Sequence, residues 1–168
     1  MKNSLKAAVL MGSKSDFEVV RETLGIFKKF GVECEARVIS AHRTPAAAHD
    51  FAVSAKKNGF GVMIGVAGKA AHLAGVLAAY TTLPVIALPI KTSMMGGLDS
   101  LLSMVQMPSG IPVATVGVNA GENAGLLAVQ ILSLADPVLS EKLAAFKKEM
   151  AEKIGKDDQD IIEAAKNI

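Results

Sequence analysis

The chain has 168 residues, a formal charge of +2 and aromatics at only 4%, so neither a basic field nor a set of stacking rings marks a nucleic-acid binder. Its length supports a core without covalent staples. The single cysteine, Cys34, rules out an internal disulfide or a cysteine zinc cage and fits a reducing cytoplasm.

Met1-Lys2-Asn3-Ser4-Leu5-Lys6 runs into an apolar stretch without a signal-peptide cleavage region, so no export signal is read. Residues 7–11 are continuously apolar, as in a strand covered on both faces. Gly12-Ser13-Lys14-Ser15-Asp16 is expected to be a loop, and Ser15-Asp16-Phe17-Glu18 matches a capping box. Val20, Leu24 and Phe27 give the next helix an apolar face, and Phe30-Gly31 closes it. Residues 34–39 form the second strand, followed by the turn Ser40-Ala41-His42-Arg43. Thr44 as N-cap and Pro45 in the first helical turn open a helix to residue 57.

Residues 61–66 read as the third strand, 70–80 as a small-residue helix, apolar nearly all round and so buried, and 84–88 as the fourth strand. A Ser/Met/Gly loop (91–97), a helix (98–105), a turn (107–110) and a fifth strand (112–118) follow, then an apolar helix (122–134). From about residue 137, Leu139, Leu143, Phe146 and Met150 form a stripe opposite Glu141, Lys142, Lys147 and Lys148, and 155–160 is expected to interrupt that helix. The uncharged stretches 70–90 and 100–121 are membrane-length, but Gly75, Pro84 and Pro89 break the first, and Pro108, Gly110 and Pro112 the second. No membrane span is expected.

Five strands alternating with helices imply an α/β fold: a three-layer αβα sandwich on a parallel five-stranded sheet. It is expected to be a single domain over 1–168, with a C-terminal helical extension. Strand order 2-1-3-4-5, the flavodoxin-like arrangement, places a ligand crevice between strands one and three. The loops holding Ser13–Asp16 and Gly68–Gly75 border that crevice, with the His42 loop alongside. Apolar residues at 51% and a mean hydropathy of +0.38 leave more apolar surface than a small monomer needs, so a homo-oligomer is expected.

The Gly12–Asp16 segment offers backbone N–H groups, two hydroxyls and a helix N-terminus, which suit a phosphate, while Asp16 suits ribose hydroxyls. Simple helix capping accounts for the same residues, and the GK[ST] ending of a Walker loop is missing. His42 beside Arg43, at a strand's C-terminal end, joins a proton-transfer group to a planar anion fork, against the alternative of a structural histidine. His72, in Gly68-Lys69-Ala70-Ala71-His72-Leu73, also reads as a helix-start structural residue. His49 beside Asp50 is assigned to a solvated face. Histidines on three separate elements lack metal spacing, so no metal is expected.

Read together, Met11-Gly12-Ser13-Lys14-Ser15-Asp16, Ser40-Ala41-His42-Arg43-Thr44-Pro45, Ala70-Ala71-His72-Leu73 and Val105-Gln106-Met107-Pro108-Ser109-Gly110-Ile111-Pro112 closely resemble the N5-carboxyaminoimidazole ribonucleotide mutase family of purine biosynthesis, over about residues 7–134. The resemblance implies a cytoplasmic homo-octamer that moves a carboxylate from the exocyclic nitrogen to ring carbon C4, with a transient CO2 and no cofactor. His42 would be the proton shuttle. Ser13, Asp16 and Arg43 would bind the ribose phosphate, with Gly12, Ser15 and Ser40 close by. His72, Gly68 and Lys69 would border the base and the CO2, and the Met107-Pro108 turn would supply wall from a neighbouring subunit.

Two positions depart from the family: Lys69 stands where the mutases usually have glycine, and Ala74 where they often have proline. The related aminoimidazole ribonucleotide carboxylases, which use free CO2, carry a basic residue near Lys69 but lack the Ala-Ala-His-Leu run. A direct carboxylase is therefore the alternative enzyme. A non-enzymatic flavodoxin-like binding module is the alternative of another class. Against it stand the absence of acids in Gly65–Gly68 and of Trp anywhere in the chain.

Overall fold

The computed structural model describes residues 5–166; the lead-in Met1–Ser4 and the last two positions of the tail lie outside the described residues. Five strands form one parallel sheet in the order β2-β1-β3-β4-β5: β1 (Lys6–Met11), β2 (Cys34–Val38), β3 (Phe60–Ala67), β4 (Val85–Pro89) and β5 (Ala114–Thr115). Register runs Val9 to Ala36 on one side of β1 and Val9 to Ile64 on the other, then Ile64 to Ile86. The expected α/β fold and strand order are both present.

Alternate residues of the central strands enter two separate cores, as the pleat requires. Ala7, Val9, Met11, Val62, Ile64 and Val66 face α1 (Phe17–Phe30) and α5 (Gly121–Ser133), around Phe27 and Val129. Ala8, Leu10, Met63, Val85 and Ala87 face α2 (Pro45–Ala55), α3 (Leu73–Tyr80) and α4 (Leu98–Val105), around Leu77 and Met104. Each fully buried Leu or Phe here contributes roughly 1.5–3 kcal/mol of transfer free energy.

Several boundaries differ from expectation, each for a local reason. The fifth strand pairs over two residues only, Ile86 to Ala114 and Ala87 to Thr115. Pro112 lacks an N–H for the ladder, and Asn119 curls the chain at φ 55°. α3 begins at Leu73 instead of residue 70, because Lys69 sits in the left-handed region at φ 59° and breaks the helical path. α6 (Pro137–Ala165) continues through 155–160 unbroken. One glycine costs a helix only about 1 kcal/mol, and Glu152, Lys153 and Lys156 around it are strong helix formers. Leu139 is buried, and Leu143 and Phe146 pack beside it, with the Phe146 ring edge-on to Phe30 at 5.7 Å. Met150 at the end of the expected stripe stays 45% exposed. No helix among the described residues is long and apolar enough to cross a membrane.

One close approach fixes α3 against the sheet. A Cβ on Gly65 would lie 2.7 Å from Ala74 Cα and 2.8 Å from its Cβ. Gly65→Ala is therefore expected to destabilise the fold by about 1–3 kcal/mol, read as a lower urea midpoint. An unchanged midpoint would mean that α3 is free to move off the strand.

Candidate active site

Four loops meet at the C-terminal edge of the sheet around an open cavity of about 750 Å³. After β1, Ser13 caps a single 3-10 turn over 14–16 by accepting from Ser15 N–H at 3.3 Å. The Ser15 hydroxyl is 2.8 Å from Ser13 Oγ and 3.2 Å from Asp16 Oδ1. One proton cannot serve both neighbours, so these hydroxyls can swing toward an incoming anion at small cost. The expected Ser15 capping box is absent: α1 starts at Phe17, with Asp16 at the N-cap making no side-chain cap bond. Ser13 is the better-placed cap because the intervening 3-10 turn shifts the register.

Asp16 is only 7% exposed. Burial pushes its carboxyl above the usual 3.8, opposed by hydrogen bonds at Ser15 and Ser13 and by the charge of Arg43. Arg43 is clamped in place: Nη2 donates to Gly12 O at 2.6 Å, and Nε and the backbone N–H donate to Ser40 Oγ at 3.4 and 3.2 Å. The remaining guanidinium N–H groups can face an anion. Thr44 occupies the N-cap of α2 without capping it; its Oγ1 accepts from Ser40 N–H at 2.9 Å and so pins the turn that carries His42 and Arg43.

His42 and His72 come from loops after β2 and β3, two strands separated by β1, yet meet across its end. His42 Nε2 lies 2.9 Å from His72 Nδ1, with the rings edge-to-face at 77°. One facing nitrogen carries the proton and the other accepts, so the pair is built to hold a shared proton. Gly68 and Lys69 line the same cavity, and a Cβ on Gly68 would make ordinary contact with Thr92 Cγ2 at 3.4 Å.

The AIR carboxylase family model matches residues 6–153. The chain belongs to the AIR carboxylase family. An N5-carboxyaminoimidazole ribonucleotide mutase of Pyrococcus abyssi is 52% identical over 86% of this chain and 83% of its own. The mutase of Methanocaldococcus jannaschii is 47% identical over 94% and 98%. A crystal structure of Treponema denticola PurE superposes with a TM-score of 0.82 at 30% identity, covering 91% of this chain and 96% of that one.

The site residues expected from the sequence of this AIR carboxylase family member line this cavity together: Gly12, Ser13, Ser15, Asp16, Ser40, His42, Arg43, Gly68, Lys69 and His72. Met107 is not among the lining residues and lies against Gly75, where a Cβ would be 3.1 Å from its Cε. His49 stays outside, bonded to Asp50 at 2.9 Å and edge-on to Tyr80. Sequence reasoning missed Ile90, Lys91, Thr92 and Ser93, which close the side beyond β4. Thr92 is held by Asp99 through a 2.6 Å hydrogen bond. The signal was available, since β4 ends at the same sheet edge as β3.

Burial disfavours ionised Asp16 in the folded state more than in the unfolded chain, so ionisation costs stability as pH rises from 3.8 through the raised folded value. Asp16→Asn is expected to gain in melting temperature relative to wild type across that window and hold the gain at neutral pH. A constant difference from pH 3 to 7 would contradict this.

Proposed function

We propose that this AIR carboxylase family member is an N5-carboxyaminoimidazole ribonucleotide mutase of purine biosynthesis. It moves the carboxylate of its substrate from the exocyclic nitrogen to ring carbon C4, giving 4-carboxyaminoimidazole ribonucleotide. The observation that carries the reading is the His42–His72 pair at 2.9 Å, set in a cavity whose other end offers Ser13, Ser15 and a clamped Arg43. Relatives bearing the mutase name at 52% and 47% identity support it.

In this reading Ser13, Ser15, Ser40, Arg43 and the Gly12 backbone hold the ribose phosphate, and Asp16 accepts from ribose hydroxyls. His42 gives a proton to the exocyclic nitrogen as the C–N bond breaks, its electron pair returns to nitrogen, and CO2 is released. Ring carbon C4 attacks the CO2, the C–C bond forms, and His42 takes back a proton from C4. No proton is gained or lost overall. His72 orients the His42 imidazole and shares its proton, while Gly68 and Lys69 border the base and the CO2.

The chain acts as one domain over 1–168, with the C-terminal helix as an extension, in a cytoplasmic homo-octamer that uses no cofactor. Exposed Ile154, Ile161 and Leu134 support such an assembly, because large apolar side chains otherwise stay in water. A basic residue near position 69 is shared with the carboxylases, so direct carboxylation of aminoimidazole ribonucleotide is the second reading.

Purified protein is expected to convert N5-carboxyaminoimidazole ribonucleotide without added bicarbonate. Turnover seen only from aminoimidazole ribonucleotide at high CO2 would replace the mutase with the carboxylase, and a flavin-binding, inactive preparation would replace both with a binding module. His42→Asn is expected to lower kcat by roughly 10²–10⁴ while nucleotide affinity stays within a few-fold. Near-wild-type turnover in that variant would remove His42 from the chemistry.

A further inference from the structure

Lys69 is a lysine in backbone that favours glycine, at φ 59°, and it lines the cavity on the same short turn as His72. Such strain persists only where the surroundings enforce it, and it concentrates at ligand sites. The turn has neighbours on two sides. A Cβ on Gly68 would be in ordinary contact with Ile90 and Thr92, and the Lys69 carbonyl is 3.4 Å from the Ser103 hydroxyl of α4. Lys69 has no ion-pair partner among the described residues.

The charges around the cavity are unevenly placed. Arg43, next to His42, sits beside the sole lining carboxylate, Asp16, whereas Lys69 lines the cavity three residues before His72 and Lys91 lines it from the loop after β4. A substrate carrying both a phosphate and a carboxylate matches cations offered from different loops of the cavity. Resting on the mutase reading above, we propose that the Lys69 ammonium holds the migrating carboxylate and makes the site selective for carboxylated over uncarboxylated ribonucleotides.

The carboxylate is anionic while bonded to the exocyclic nitrogen and again while bonded to C4, but it is neutral as CO2 in between. A fixed ammonium therefore strengthens binding of substrate and product and gives nothing extra to the intermediate. Lys69 is thus a specificity residue: losing its charge raises KM, and kcat rises with it, because the contact holds the ground state more than the CO2 stage.

The test compares wild type with Lys69→Gly and Lys69→Asn, since both replacements accept a positive φ and remove the charge. Both variants are expected to raise KM for N5-carboxyaminoimidazole ribonucleotide, and Kd for the 4-carboxylated product, by about tenfold or more. Kd for uncarboxylated aminoimidazole ribonucleotide should stay within about threefold, because that ligand has no carboxylate to lose, and kcat should rise with KM. The glycine variant should unfold at the same or a higher temperature.

Unchanged affinity for the carboxylated product in both variants overturns the proposal. So does an equal loss for carboxylated and uncarboxylated nucleotides, which would place Lys69 on the phosphate. Wild-type protein that binds both nucleotides yet never converts the substrate would sink the mutase reading instead, while the binding comparison still decides the role of Lys69.

Discussion

The 2.9 Å contact between His42 and His72 is the constraint around which the cavity is organised. Its partners leave the sheet from β2 and β3, which never touch, and must reach over the end of β1. That reach depends on the order β2-β1-β3, on a loop after β1 that stays low, and on two turns held rigidly enough to aim imidazoles. Ser40, Thr44 and the Gly12 carbonyl hold the first turn, and the left-handed residue at 69 shapes the second. A site placed on such turns can be small and still hold its geometry, because hydrogen bonds to backbone leave few alternative conformers.

The polar end of the cavity works by the opposite logic. Asp16 is buried where its ionised form is disfavoured, with Arg43 and the serines offsetting part of that cost. The Ser15 hydroxyl donates to Ser13 Oγ, and a strong acceptor can displace that bond. Burying a carboxylate at this position costs stability, a trade common at functional sites.

Much of this was legible beforehand because strands buried on both faces announce themselves as unbroken apolar runs, as at β1 and β3. The Ser13, His42 and His72 loops followed from where those runs stop. What escaped the sequence depended on competition between local rules. Ser15 satisfies the capping pattern, yet Ser13 takes the role once a 3-10 turn intervenes. Gly155 and its aspartates resemble a helix stop, but α6 runs on, the glycine costing too little to halt it. The fifth strand looked longer than its two paired residues because Pro112 cannot join the ladder.

The sequence alone determined the parallel α/β plan, since alternating apolar runs and crossover helices admit few other packings. It also determined the residue types available for chemistry at the strand ends. Only the tertiary structure decided that two histidines thirty positions apart share a hydrogen bond, that Arg43 leans on the Gly12 carbonyl, and that Ile90–Ser93 complete the wall. Those facts depend on strand order and turn geometry, which bring together groups that no local pattern in the chain relates.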